Sequence, residues 1–381
     1  MNMSRAFLFA LFVNCALGRL AAAEDDVLFK VHGTGTGVAL AADGSMLAST
    51  DGCGEVRIWN FSEERLVHHI VDAHANGKAL VFAPGSGLLA TTSGKLVRLW
   101  SVTTDQEIGT LRGHSALVQS IDFSSDGNSL ATIASDSTLI VWNIATLKRR
   151  LRRKIFDGHD GHLAFRDDGT ILVAGTESRT VHVWEVRDDA PEIVAKGDDD
   201  QWQVGQFAFS PDRKSLALAV GKRRSNNEKD AFQVHIWDLE RARGMRPREW
   251  KMRGITISWG VSPSTPYEWA RTISAHQTEI SAIAFAPDGN TLAIANFSKP
   301  SFGWRLSSNL ENSTKATRMA DRSVKLWDLE SGRQIELFEG QKAAVRSLAI
   351  SADGRKVFSG SGDSKVRVWR VAERPAQASS N

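Results

Sequence analysis

Cysteine is almost absent from this chain: there are two in 381 residues, Cys15 and Cys53. Cys15 lies in an N-terminal stretch that reads as a leader. The folded part then keeps Cys53 alone, so no disulfide can close within it, and stability has to come from buried apolar surface. After that leader no apolar run approaches the roughly 20 residues a membrane-crossing helix needs. A dominant charge sign is also missing. The formal charge of +3 implies no polyanionic or polycationic partner for the molecule as a whole. Nor does a carboxylate pair, a Cys/His arrangement or a phosphate-cradling glycine loop recur at a usable spacing. No catalytic residue, metal ligand or cofactor is nominated.

The leader comprises residues 1–23. One positive charge precedes Ala6–Leu17, which is apolar except for Asn14, and Ala21-Ala22-Ala23 fits the small-x-small rule for cleavage before Glu24. Its removal takes away Arg5, Arg19 and no acid, leaving a formal charge of +1. Lipoprotein processing is not expected, because Phe12-Val13-Asn14 before Cys15 lacks small residues. The expectation is an exported protein, periplasmic or secreted, with no membrane-spanning segment after cleavage.

What the chain does have is a repeated strand ending in tryptophan. The units are VRIW (Trp59), VRLW (Trp100), LIVW (Trp142), VHVW (Trp184), VHIW (Trp237), VKLW (Trp327) and VRVW (Trp369), at separations of 41, 42, 42, 53, 90 and 42 residues. A period of about 40–45 residues with four short strands per unit is the pattern of a propeller blade. The third unit, Gly113–Asn143, is the cleanest. It reads as strand a (Leu117–Phe123), an Asp-Gly turn, strand b (Ser129–Ile133), a turn at Asp136 and strand c (Thr138–Trp142), with period-2 alternation. A fourth strand, d, precedes the next unit, as in RLVHHIVDAH, EIGTLRGH, RTISAH and QIELFEG.

The Gly-His starts, the Ser-x-Asp-Gly or Pro-Asp-Gly turns and the closing Trp-Asp or Trp-Asn resemble the WD-repeat β-propeller family, over essentially Val27–Val371. The resemblance implies an all-β, seven-bladed propeller of four-stranded antiparallel blades. It also implies a hydrogen-bonded staple of His, Ser/Thr, Asp and Trp in each blade. Unit three supplies His114, Thr132, Asp136 and Trp142. Unit six keeps His276, Asp321 and Trp327; unit seven keeps Ser359, Asp363 and Trp369 but has Gln341 in place of His. Cys53, Gly94 and Ser178 replace the Asp in units one, two and four, and those blades are expected to be looser.

The chain stops after strand c of unit seven, and Val27–Val31 is expected to supply that blade's missing outer strand and so close the ring. The propeller is assigned to residues 24–371, with a polar tail at 372–381. The separation of 90 residues divides into two insertions, at about 240–267 and 296–320, each too short for an eighth blade of four strands.

With up-and-down strands, d–a and b–c connections share one face and a–b and c–d connections the other. On the first face the irregular segments of blades five and six gather Asp199, Trp202, Arg223, Arg224, Phe302 and Trp304, the candidate partner-binding residues. On the second lies RARGMRPREWKMRG, whose Arg241, Arg243, Arg246, Arg248, Trp250, Lys251 and Arg253 form a candidate anion site. A further basic run, Lys148–Lys154, falls on the outer strand of blade three. Lys and Arg on such an edge also discourage stray strand pairing. Cys53 reads as a small buried side chain.

The function implied by the resemblance is a non-catalytic scaffold for unidentified protein partners. The first alternative is a binder of anionic glycan or lipid through Arg241–Arg253, nucleic acid being disfavoured by export. The second is an enzyme using the propeller's central channel.

Overall fold

The structure, a computed structural model, describes residues 26–30, 37–41, 43–50, 54–60, 63, 65–70, 79–85, 87–155, 161–177, 180–187, 190–198, 203–222, 231–244, 249–252, 255–258, 270–276, 279–297, 322–363 and 365–372. Seven four-stranded antiparallel sheets follow one another along the chain. Blade three shows the pattern: Val118–Phe123, Ser129–Ala134, Thr138–Asn143 and Lys148–Lys154, each paired to the next. Leu117, expected to begin strand a, stays outside it and exposed.

Alternation along each strand decides which core a residue joins. In strand b of blade three, Leu130 packs toward blade two and its neighbour Ala131 toward blade four. Both faces of each sheet are therefore buried, and among the described residues the apolar clusters number seven, one between each pair of adjacent blades. The last joins Phe358, Val366 and Val368 of blade seven to Leu47 and Trp59 of blade one. Every closing tryptophan packs toward the preceding blade. Where it pairs with strand d, the register slips in blades one, two, three, four and six, a bulge that deepens the local twist.

The ring closes as the termini implied. Asp26–Lys30, one residue earlier than expected, pairs antiparallel with Lys365–Arg370 and becomes the outer strand of blade seven. That closure pairs the free edge of Lys365–Arg370 and leaves blade seven four-stranded like the others.

The 90-residue separation resolves into two insertions and no eighth blade. Between strands c (Ala231–Asp238) and d (Ala270–His276) of blade five stand a helix, Leu239–Gly244, and a two-stranded hairpin, Glu249–Met252 with Ile255–Ser258. The second insertion lies between Thr291–Phe297 and Val324–Asp328 of blade six. It begins later than position 296, because Asn296 is still a fully buried strand residue paired with Ile280.

Neighbouring blades are also tied by polar contacts at the inner strands. Gln119, Ser120 and Asp122 of blade three accept hydrogen bonds from the N–H groups of Gly161, Leu163 and Phe165 of blade four, at 2.9, 3.2 and 2.9 Å.

Candidate interaction surfaces

In blade three the polar residues form one chain of hydrogen bonds. Trp142 Nε1 donates to Thr132 Oγ1 at 3.0 Å, and Thr132 Oγ1 lies 2.8 Å from His114 Nε2. His114 Nδ1 lies 3.2 Å from both carboxylate oxygens of Asp136, which also accepts from the Ser115 N–H at 2.7 Å. A neutral imidazole with its proton on Nδ1 satisfies every member: the threonine hydroxyl donates to Nε2 and Nδ1 donates to Asp136. Burial is the main reason the His114 pKa lies below its ordinary 6.5, against the pull of Asp136. Burial pushes Asp136 up, but hydrogen bonds from Thr138 and Ser115 outweigh it and hold the carboxyl at about 2.

Blade seven solves the same problem differently. Trp369 Nε1 donates to Ser359 Oγ at 2.8 Å, and Gln341 Nε2 donates to that oxygen at 2.7 Å. Arg367 then joins Gln341 Oε1 at 2.7 Å to Asp363 at 2.7 and 3.1 Å, while only 2 % exposed. Gln341 and Arg367 are network members that the His-based staple does not include. Their signal is the arginine two residues before the tryptophan, shared by VRIW, VRLW and VRVW. Blades one and two keep part of the staple despite their lost Asp, since Trp59 donates to Ser49 at 3.4 Å and Trp100 to Thr91 at 3.0 Å.

Blades four, five and six lack the staple hydroxyl, with Gly175 and Leu218 at that position in the first two. In blade six that position, two residues past the strand-b partner of the tryptophan, is Ile294, and the buried Trp327 Nε1 has no hydrogen-bond partner among the described residues. The His276 side chain and Asp321, expected in that staple, lie outside the described residues, as do Cys53 and Ser178.

The channel wall carries one carboxylate of note. Burial pushes the Asp122 carboxyl up, and Arg213 is the main force opposing it. Arg213 belongs to blade five, at the a–b turn position where blades one, three, four, six and seven have Gly44, Gly127, Gly169, Gly289 and Gly354 with positive φ. It adopts the same left-handed backbone at φ 57° and reaches across blade four, donating to Phe165 O at 3.1 Å and lying 3.4 Å from Asp122. Arg166 donates in turn to Arg213 O at 3.1 Å and stands 3.6 Å from Glu240 on the inserted helix. The departure of PDRK from the Asp-Gly turn was the sequence signal for this tie.

The two faces are fixed by contacts. Ser115, in the d–a connection, bonds to Asp136, in the b–c turn, whereas Ile144 N donates to Asn128 O at 3.0 Å, joining c–d to a–b. On the first face, three connections of blades five and six leave from Asp198, Lys222 and Phe297 and return at Gln203, Ala231 and Val324. The six candidate partner residues on them, Asp199, Trp202, Arg223, Arg224, Phe302 and Trp304, lie outside the described residues.

Of the candidate anion site, Arg241 is exposed on the inserted helix, its N–H donating to Asp238 Oδ1 at 3.0 Å. Arg243 shares that helix, and Trp250 and Lys251 lie on the hairpin opposite Ile257 and Thr256. Arg246, Arg248 and Arg253 fall outside the described residues.

The family described as "WD domain, G-beta repeat" matches residues 105–143, 151–185, 268–328 and 332–370. Each match takes strand d of one blade and strands a to c of the next, ending just past a closing tryptophan, and the third spans the blade-six insertion. The chain is a WD-repeat propeller. It is 22% identical to apoptotic protease-activating factor 1 of Rattus norvegicus over 73% of its length and 24% of the rat protein. It is 19% identical to DDB1- and CUL4-associated factor 13 of Xenopus tropicalis, covering 79% of this chain and 66% of that protein. It is 22% identical to a guanine nucleotide-binding protein subunit beta of Oryza sativa subsp. japonica, covering 74% and 64%. The chain thus spans less than two thirds of several of these relatives.

Proposed function

We propose that this WD-repeat protein is a non-catalytic scaffold whose protein partner docks on the d–a and b–c face of blades five and six. The observation that carries this reading is that two long connections, after Lys222 and after Phe297, and the short one after Asp198 leave from one face of the ring. Relatives named as an associated factor of DDB1 and CUL4 and as a subunit of a guanine nucleotide-binding protein support a role in assemblies. Within the channel wall Asp122 is engaged by Arg213 and Phe165, which favours scaffold over enzyme.

The test is affinity capture with the whole protein beside a variant whose residues 298–321 are replaced by a short Gly-Ser turn. The reading expects a partner retained by the first and lost by the second, at moderate salt. Equal retention would move the site off this face.

A second reading is favoured by the helix and hairpin that stand outside every blade and carry Arg241 and Lys251. An anionic glycan or lipid bound there would dissociate steeply with salt. Export is proposed from the leader at 1–23, and N-terminal sequencing of the exported protein should begin at Glu24.

A further inference from the structure

The outer strand of blade three, Lys148–Lys154, has the sequence KRRLRRK. Its inner edge is paired along its length with strand c, and its outer edge pairs with no strand among the described residues. Pairing fixes the faces. Arg149, Arg152 and Lys154 stand opposite Trp142, Ile140 and Thr138 on the side toward blade two; Leu151 and Arg153 stand opposite Val141 and Leu139 on the side toward blade four. Arg150, at the bulge, lines a groove with Asp126, Asp167 and Asp168. Arg149, Arg152 and Lys154 are exposed, and neither Arg149 nor Arg152 has an ion pair among the described residues.

Like charges stacked along one face repel each other, and across the strand pair Arg149 and Arg152 stand opposite Trp142 and Ile140 rather than carboxylates. An edge of this kind rejects neutral and basic strands. It accepts one class of occupant well. The open edge presents alternating N–H donors and C=O acceptors, and only another polypeptide strand complements both; sulfate or phosphate polymers carry acceptors and leave the carbonyls unpaired. Carboxylates on alternate residues of such a strand meet Arg149, Arg152 and Lys154, where guanidinium forks suit carboxylate geometry. The intervening residues would face Leu151, which already packs into the core between blades three and four.

We infer that the Lys148–Lys154 edge binds an extended acidic segment of a partner protein, with carboxylates at every second position and β-branched residues between, as a fifth strand of blade three. The surface lies on the rim and is independent of the loop face proposed above.

The probe is a labelled peptide of alternating glutamate and valine, titrated against the full-length protein by fluorescence anisotropy. A version N-methylated at alternate amides keeps the charge but cannot form the ladder. Weakening of about tenfold or more is expected on N-methylation and again in an R149S/R152S/K154S variant, with R150S close to wild type. Hydrogen exchange on the unmodified protein should show the peptide protecting amides 148–154, a measurement that stands even where the triple variant fails to fold. Equal binding of the N-methylated peptide, protection elsewhere, or no binding would overturn the inference.

Discussion

The tip of Leu147 occupies the place of a side chain that Gly109 does not have: a Cβ built on Gly109 would lie 2.3 Å from Leu147 Cδ1. Gly109 is on strand d of blade two and Leu147, at φ 56°, in the c–d turn of blade three. The contact belongs to a seam around the rim. The strand-d residue opposite the position before the tryptophan is His68, Gly109, Arg271 and Glu336 in blades one, two, five and six. Each meets the segment after the tryptophan of the next blade. His68 Nδ1 lies 2.6 Å from Asp105, Arg271 donates to Leu329 O at 3.1 Å, and Glu336 accepts from Ala372 N at 3.3 Å. One position thus uses a His–carboxylate contact, a knob in a socket, or a side chain on backbone.

Gly109→Ala should therefore be mild and Gly113→Ala severe. Leu147 can swing its terminal methyl aside, for a loss of about 1 kcal/mol that largely disappears when Leu147→Ala is added. A Cβ on Gly113 would stand 2.9 Å from Trp142 Cη2 and 3.3 Å from Ile140 Cδ1, and the indole is pinned by Thr132. About 2–3 kcal/mol should be lost there, read from urea unfolding midpoints at unchanged slope.

Replacing the two best-contrasted tryptophans with phenylalanine separates the staple from packing. Trp142→Phe loses the indole hydrogen bond to Thr132, whereas Trp327→Phe removes a buried donor with no partner among the described residues. Trp142→Phe should cost about 1–2 kcal/mol more than Trp327→Phe. Equal losses in chemical denaturation would show that the bond contributes nothing net.

Acid should weaken the fold in two steps. His114 and His235 have pKa values lowered from 6.5, mainly by burial. A base depressed in the folded state carries fewer protons there than when unfolded. Its contribution is complete above 6.5 and falls as pH drops through that value. Asp136, held at about 2, contributes above its ordinary 3.8 and loses that contribution as pH falls toward 2. His114→Gln should still fold, since Gln341 plays the corresponding part in blade seven, and should flatten the first step in urea titrations.

Arg213→Gly removes a strained backbone and, with it, the tie across three blades. At neutral pH the variant should be less stable by about 1–3 kcal/mol, because a partly buried carboxylate loses its counter-charge. The folded Asp122 pKa would rise further, so the deficit should shrink on acidification. Asp122→Asn in the same background should recover most of it; a double-mutant cycle by urea unfolding measures the coupling.

The number of blades, their strands and the strand that closes the ring were legible in the sequence, because both period-2 alternation and the tryptophan period are local properties of the chain. Unit three could be read nearly residue by residue for that reason, and Lys148–Lys154 occupies the positions its pattern implied. What the sequence could not say is which side chains meet across blades. Arg213 and Asp122 are 91 positions apart, and only the stacking of three sheets puts a guanidinium against that carboxylate. Arg367 reads as an ordinary polar strand residue until Gln341 and Asp363 enclose it. Strand identity follows from short-range periodicity; polar networks and the seam from Leu147 to Gly109 depend on the distance and angle between sheets, which exist only once the ring has closed.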